Sequence, residues 1–312
     1  GIGTTTPGSL LTVAGDSNVS SGSAYKYNGS SVIIASTTLN NYFFGSAGNL
    51  TSSGSNNTGV GQFALATNSF GAHNVVVGRQ SLTANTSGGA NVAIGFQSLM
   101  TATTSSGSTA VGHQALRLAQ SVAVGNTAVG YLASDGVTTG SYNTNLGYQA
   151  GYLTNTGYSN VMIGYGAGKF ATTSYENTIV GAVAGQNISN VSTFGQGETL
   201  IGYNSGNAIT TGTFNSLVGH QSGKIITTGG SNTGVGRAVF NDLTTGGYNT
   251  GIGHAAGFYL DTGIGNLCLG NSACSNPDTL GAGNITGSYN AGIGEYAGAT
   301  MDGLTNAWAI GN

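Results

Sequence analysis

The sequence predicts an all-β fold, a parallel β-solenoid of about 15 turns with a 17-residue repeat. Three observations lead to this prediction. Glycine accounts for 57 of the 312 residues, and only 5% of the residues are charged. An aliphatic residue followed by Gly recurs along the chain, and most successive copies are 17 residues apart. Such a repeat can hold two short strands and two turns, but it is too short for a strand plus a full helix.

The composition excludes several classes of protein. With two Pro in all, the chain cannot be a collagen. Six Lys and Arg are too few to neutralise a phosphate backbone, so we expect no nucleic-acid partner. No run of about 18 apolar residues occurs, so we expect no membrane span in this chain.

The repeat divides the chain into two parts. We predict that residues 1–50 form a β-rich N-terminal cap or connecting segment, in which Asn28-Gly29 marks a hairpin turn. Residues 51–312 form the repeat array. The array stops within a repeat, which leads us to expect further chain after it. Both chain ends look like partial repeats, which would permit a head-to-tail polymer.

One aliphatic residue stands directly before each repeat Gly. Because side chains alternate between the two faces of a strand, we predict that this column and the Thr or Val two residues earlier point inward. An Ala or Ser three residues after the Gly should form the opposite wall, and an Asn four residues before it should link the turns through its amide. The predicted spine consists of Val60, Val77, Ile94, Val111, Val129, Leu146, Ile163, Val180, Ile201, Val218, Val235, Ile252, Leu269 and Ile293.

The residue in the middle of each strand should then point outward. Apart from Asn145, no polar side chain occupies this position. A strand that is apolar on both faces is normally covered on both, and a second copy of the chain is the simplest cover. We therefore predict self-association; in the alternative, Gly and Ala here only fill a tight turn. The predicted association face is Val76, Met162, Ile179, Leu200 and Leu217.

Several copies resemble known repeats. Residues 91–95, 121–125 and 126–130 resemble the head repeats of trimeric autotransporter adhesins, the YadA-like family. That resemblance implies a left-handed parallel β-roll in a homotrimer, although the repeat of that family is shorter. Residues 249–257 more closely resemble repeats of phage tail-fibre-like and bacterial surface proteins. The resemblance covers nearly the whole chain and indicates architecture, not a ligand.

The residue types that catalysis requires are sparse. The nine acidic residues are scattered at one per turn or fewer, and His220 and His254 are two turns apart. We therefore predict no enzyme, no cofactor and no metal site. Cys268 and Cys274 fall within one turn, where they either form a disulfide or remain two buried thiols.

Two functions are compatible with this pattern. The first is a structural subunit of an extracellular or surface fibre, a rigid homo-oligomeric rod. The alternative is an adhesin head or phage tail fibre that binds a cell-surface glycan or protein. Aromatic rings directly after the repeat Gly suit such recognition, although they could simply pack over neighbouring turns. The predicted recognition face is Phe96, Tyr131, Tyr148, Tyr165 and Tyr203.

Overall fold

The computed structural model describes residues 24–27, 30–36, 38–49, 51–120, 122–188, 197–275, 286–298 and 303–311. Within these ranges all regular structure is β. The strands are β1 (Ala24–Tyr27), β2 (Ser30–Ser36), β3 (Asn41–Phe44), β4 (Thr58–Val60), β5 (Val75–Val77), β6 (Val92–Ile94), β7 (Thr109–Val111), β8 (Thr127–Val129), β9 (Thr144–Leu146), β10 (Val161–Ile163), β11 (Thr178–Val180), β12 (Thr199–Ile201), β13 (Ser216–Val218), β14 (Thr233–Val235), β15 (Thr250–Ile252), β16 (Leu267–Leu269), β17 (Ala291–Ile293) and β18 (Trp308–Ile310).

From β3 onward each strand pairs in parallel with the next, so consecutive turns lie directly above one another. The register joins residues one repeat apart: Val218 stands opposite Val235, and Val235 stands opposite Ile252. The chain is a parallel β-solenoid of about 14 turns, which confirms the predicted fold class. Left-handed winding and the homotrimer stay predictions.

The N-terminal hairpin is confirmed, but the array begins earlier than predicted. Strands β1 and β2 pair antiparallel with Tyr27 opposite Ser30, and β2 pairs antiparallel with β3. The turn residues 28–29 lie outside the described residues, as do residues 1–23. Strand β3 already pairs in parallel with β4, and Asn41 occupies the recurring Asn position. The first turn therefore starts about ten residues before position 51. The step from Asn41 to Asn57 is 16 residues, so this turn does not follow the 17-residue period.

The facing of strands β4–β17 is opposite to the prediction. The middle residue of each strand from β4 to β17 is buried, and the predicted association residues Val76, Met162, Ile179, Leu200 and Leu217 are all 0% exposed. They are the core of the solenoid, not a surface. The predicted spine instead points outward, and none of its members is buried: Val60, Val77, Ile94, Val111, Val129, Leu146, Ile163, Val180, Ile201, Val218, Val235, Ile252, Leu269 and Ile293.

Four of the five large middle residues, all except Val76, are explained by a Gly across the interior. The residue six positions later in the same turn lies on the opposite wall, and the two share one volume. Where the middle residue is small, as at Ala93, the partner is Leu99, and both are buried. Where it is large, as at Met162, the partner is Gly168, on which a Cβ would lie 2.3 Å from the Met162 sulfur. The size of Met162 therefore reflects the Gly opposite to it and requires no second chain.

The small column was placed correctly. The Ala or Ser three residues after the repeat Gly is fully buried at, for example, Ala64, Ser81 and Ala115. The repeat Gly itself is needed for two reasons: Gly219 has φ +140°, and a Cβ on it would lie 2.1 Å from the carbonyl oxygen of Gly236 in the next turn. Consecutive turns thus approach each other too closely for any side chain at this point.

The Asn column forms a continuous hydrogen-bonded ladder through most turns. The backbone N–H and the side-chain amide of Asn249 both donate to Oδ1 of Asn232, each at 3.0 Å. The same amide donates to the carbonyl of Gly263 at 2.8 Å. Every polar group of such an Asn is satisfied although the residue is fully buried, so the ladder joins adjacent turns in addition to the strand hydrogen bonds.

Candidate functional site: the outer strand face and the aromatic column

Two surfaces run the length of the solenoid. The first, here named the outer strand face, consists of the first and third residues of strands β4–β17. Its third residues are Val, Ile or Leu in every turn, and several are well exposed, such as Ile252 at 46%. Its first residues are mostly Thr, with Val75 exposed at 42%. No residue of this face is charged.

The outer strand face forms one continuous uncharged strip in which the aliphatic third residues lie beside a column that is mostly Thr. At a strand spacing of about 4.8 Å, about 14 turns give a strip roughly 65 Å long and 10 Å wide, or roughly 650 Å². The aliphatic third residues account for about half of this area, roughly 325 Å², which lies within the range of about 300–600 Å² for the largest apolar patch of a typical monomer, a patch that often marks an interaction site. The uncharged strip is thus the strongest candidate for an association surface.

The second surface is the column directly after the repeat Gly, here named the aromatic column. Its side chains point away from the interior and continue from turn to turn. Its members are Gln62, Arg79, Phe96, His113, Tyr131, Tyr148, Tyr165, Ala182, Tyr203, His220, Arg237, His254, Asn271 and Glu295.

Most members of the aromatic column touch the next member. Phe96, His113, Tyr131, Tyr148 and Tyr165 form one stack, with ring centroids 5.2–5.3 Å apart. The stack therefore covers most ring faces and presents ring edges to solvent. Of the predicted recognition residues, the structure brings four together in this stack.

Polar contacts extend the column at both ends. The guanidinium of Arg79 lies 5.7 Å from the centroid of Phe96, and its Nε donates to Gln62 at 3.3 Å. Toward the other end, Arg237 and His254 are 3.0 Å apart, and the amide of Asn271 donates to Glu295 at 2.8 Å.

The fifth predicted recognition residue, Tyr203, is separated from the stack. It stacks on His220 with centroids 5.2 Å apart. The turn between Tyr165 and Tyr203 carries Ala182, whose methyl group leaves a gap of one ring. The sequence left open whether the aromatic rings pack over neighbouring turns, and the stack confirms that they do; the interruption at Ala182 was not predicted.

Glu198 interrupts the Asn ladder with a buried carboxyl group. Its two oxygens accept the backbone N–H of Asn215 at 3.1 Å and the side-chain amide of Asn215 at 3.2 Å. Burial raises the pKa of Glu198 to about 8, although the hydrogen bonds from Asn215 lower it. Because an unfolded Glu has a pKa of about 4.3, the folded state holds an extra proton between about pH 4 and 8. Stability therefore falls as the pH rises through this window.

Cys268 and Cys274 form a disulfide, with Cα atoms 5.5 Å apart. They occupy the middle strand position and the position six residues later, the pair that elsewhere carries Ala93 and Leu99. The bond therefore replaces a packing contact across the interior, and of the two sequence alternatives the disulfide is confirmed.

Further ionisable side chains lie away from these two surfaces. Arg117 makes a bidentate ion pair with the buried Asp135, at 2.7 and 3.1 Å. In the described part of the chain, no three His, Cys, Asp or Glu residues group where they would hold a metal ion. A membrane-crossing helix is also absent from the described ranges.

The comparisons with known proteins return no relative. No family model matches the chain, and neither a curated protein nor a solved structure is detectably similar to it. The resemblance of residues 91–95 to adhesin head repeats therefore stays a prediction.

Proposed function

We propose that this chain is a structural subunit of an extracellular or surface fibre and acts as a rigid, homo-oligomeric rod without catalytic activity. The observation that carries the proposal is the outer strand face, an uncharged strip with an aliphatic residue in every turn from β4 to β17. If this strip stayed exposed to water, it would be prone to non-specific association.

The construction of the rod supports a mechanical role. Each turn is joined to its neighbours by parallel strand hydrogen bonds, by the Asn ladder and by interior packing. Bending would break all three kinds of contact within the same turn. Two elongated core clusters, one from Ile34 to Val137 and one from Met162 to Cys274, extend this packing along the rod.

The occupant that fits the outer strand face is another copy of the same chain. A strip of roughly 650 Å² on each partner approaches the roughly 800 Å² that each partner buries in a stable interface of standard size. An uncharged strip lying against its own copy buries no unpaired charge. Three such strips around a common axis would give the homotrimer that the resemblance implies.

The oligomeric state tests the proposal. The double variant Val235→Asp/Ile252→Asp places two carboxylates on the outer strand face, where the wild-type side chains are 41% and 46% exposed. We expect light scattering to give the mass of three chains for the wild type and of one chain for this variant. The matched control is Ile225→Asp, because Ile225 is 36% exposed outside this face. A monomeric wild type, or a variant of unchanged mass, would refute association through this face.

Electron microscopy of native material tests the fibre itself. Long filaments are expected if rods join end to end, whereas isolated short rods are expected for a lateral oligomer alone. If the micrographs show no filaments and no rods of uniform length, the structural role is refuted.

The second candidate function is recognition, as an adhesin head or phage tail fibre. The specific observation in its favour is the aromatic column, where Tyr165 and Tyr203 are more than half exposed. Binding of a surface glycan or protein by this column, measured with the isolated rod, would favour recognition over a purely mechanical role.

A further inference from the structure

The aromatic column has one interruption with a defined geometry. The backbone continues through it without a break: Val183 N–H donates to the carbonyl of Tyr165 at 2.8 Å, and Asn204 N–H donates to the carbonyl of Ala182 at 3.0 Å. Tyr165, Ala182 and Tyr203 thus lie on three successive turns. Only the side chain of the middle turn fails to reach the stack.

The width of the gap fits one ring. Two turns at about 4.8 Å separate the flanking Tyr rings by about 10 Å. A flat six-membered ring placed midway would lie about 5 Å from each centroid, within the range preferred by stacked rings. The contacts would then match those between Tyr148 and Tyr165, whose centroids are 5.2 Å apart. Tyr165 is the most exposed Tyr of the stack, at 57%, as expected for a ring with one uncovered face.

The rim of the gap is polar and uncharged on two of the three turns. The side-chain amide of Gln186 lies 3.6 Å from the point where a Cβ on Gly166 would stand, beside Tyr165. The amide of Asn207 donates to the carbonyl of Val183 at 2.8 Å and approaches Oε1 of Gln186 at 3.4 Å. On the third turn, the ammonium group of Lys169 lies over the ring of Phe170.

We propose that the gap at Ala182 is a binding site for one pyranose ring of a neutral polysaccharide. A pyranose carries apolar C–H groups on its faces and hydroxyls around its edge. Tyr165 and Tyr203 stack on the two faces. The Nε2 amide of Gln186 donates to a hydroxyl, while Asn207, which is bonded to Val183, Gln186 and Asn187, holds Gln186 in place. The rim groups of the Ala182 and Tyr203 turns are uncharged, and the ammonium of Lys169 in the third turn lies over the ring of Phe170, so this rim favours a neutral sugar over an anionic one. This site goes beyond the structural role and places the recognition candidate at a single turn.

The decisive variant fills the gap with the ring that the column lacks. Ala182→Tyr introduces the residue type that this column carries in several other turns, so the fold should be retained. The probes are cellohexaose, maltohexaose and chitohexaose, measured by calorimetry and saturation-transfer NMR. We expect at least one probe to bind the wild type and its affinity to fall at least about tenfold in Ala182→Tyr. The matched control is Glu295→Tyr, which adds a Tyr to the same column away from the gap and should leave affinity unchanged.

If Ala182→Tyr fails to fold, Tyr203→Ala decides, because it removes one wall and should weaken binding.

Three results would overturn the proposal. The first is that none of the probes binds at millimolar concentration, and the second is that Ala182→Tyr binds as tightly as the wild type. The third is that N-acetyltyrosinamide binds while no sugar does, which would assign the gap to an aromatic side chain of a protein. All three leave the oligomer test of the outer strand face unaffected.

Discussion

The pairs that share volume across the interior permit a direct test of how this solenoid is packed. Met162 is fully buried opposite Gly168, and Ala171 of the same turn is also fully buried. Met162→Ala should destabilise the protein by about 2–5 kcal/mol, because it deletes buried groups and leaves a cavity. Gly168→Leu should cost about 1–3 kcal/mol from overpacking against the Met162 sulfur. It should cost about 1 kcal/mol more because φ at this position is +54°.

The double variant should recover most of this loss. Met162→Ala/Gly168→Leu reproduces the arrangement of Ala93, Leu99 and Ala102, where Leu99 is tolerated at φ 49°. The sum of the single changes is about 4–9 kcal/mol, whereas we expect the double variant to lie within about 2 kcal/mol of the wild type. Urea unfolding followed by circular dichroism measures all four proteins of the cycle.

The control pairs two residues that do not touch. Met162 and Leu99 belong to separate core clusters, so Met162→Ala and Leu99→Ala should be additive within about 0.5 kcal/mol. If Met162→Ala/Gly168→Leu is as unstable as the sum of its parts, the two positions do not share one volume and the explanation of the facing fails.

Three further predictions concern contacts between turns. Gly219→Ala should cost about 3 kcal/mol or more in urea unfolding, because its Cβ would lie 2.1 Å from the Gly236 carbonyl; a loss below about 1 kcal/mol would contradict the close approach. Asn232→Ala should cost at least about 3 kcal/mol by the same measurement, because it leaves Asn215 and Asn249 in the neighbouring turns each without one hydrogen-bond partner. A loss of stability no larger than that caused by replacing an exposed Asn would refute the ladder's role. The stability of the wild type should fall by an amount on the order of a few kcal/mol between pH 4 and 8, because burial raises the pKa of Glu198 to about 8 in the folded state. Glu198→Gln should remove that slope in melts across this range, the exposed control Glu176→Gln should keep it, and an unchanged slope in Glu198→Gln would assign it elsewhere.

The sequence alone predicts the period and the register, because both depend on residues that recur at fixed intervals. The repeat Gly is obligatory in each turn on steric grounds, so it marks the register without any knowledge of the facing. The Asn ladder is also visible in the sequence, because an Asn directly above an Asn satisfies both side chains in most turns; Ser108 and Glu198 are the exceptions. These features are periodic constraints, and periodicity is directly visible in a sequence.

The facing of the strands could not be obtained in this way. A three-residue strand offers two candidate inner faces, and alternation alone does not choose between them. Hydrophobicity pointed to the uniform aliphatic column, yet the interior consists of the column that varies from Gly59 to Met162. The available signal was the anticorrelation six residues apart: Leu65 follows Gly59, whereas Gly168 follows Met162. Recognising it requires treating two positions as one volume.

That contrast between a variable interior and a uniform exterior also bears on function. Interior positions can vary because a partner across the interior compensates for most changes, either in the same turn, as Gly168 does for Met162, or in a neighbouring turn, as Phe240 does for Gly251 and Gly257. The third strand residue has no such partner, is not buried in any turn, and is nonetheless Val, Ile or Leu throughout β4–β17. Strand propensity explains Val and Ile at this position but not Leu146 or Leu269, and it would equally accept Thr, which the first strand position uses freely. Packing within the chain does not require this uniformity. Contact with a surface outside the chain is the simplest explanation for it, and a second copy of the chain presents the same uncharged strip.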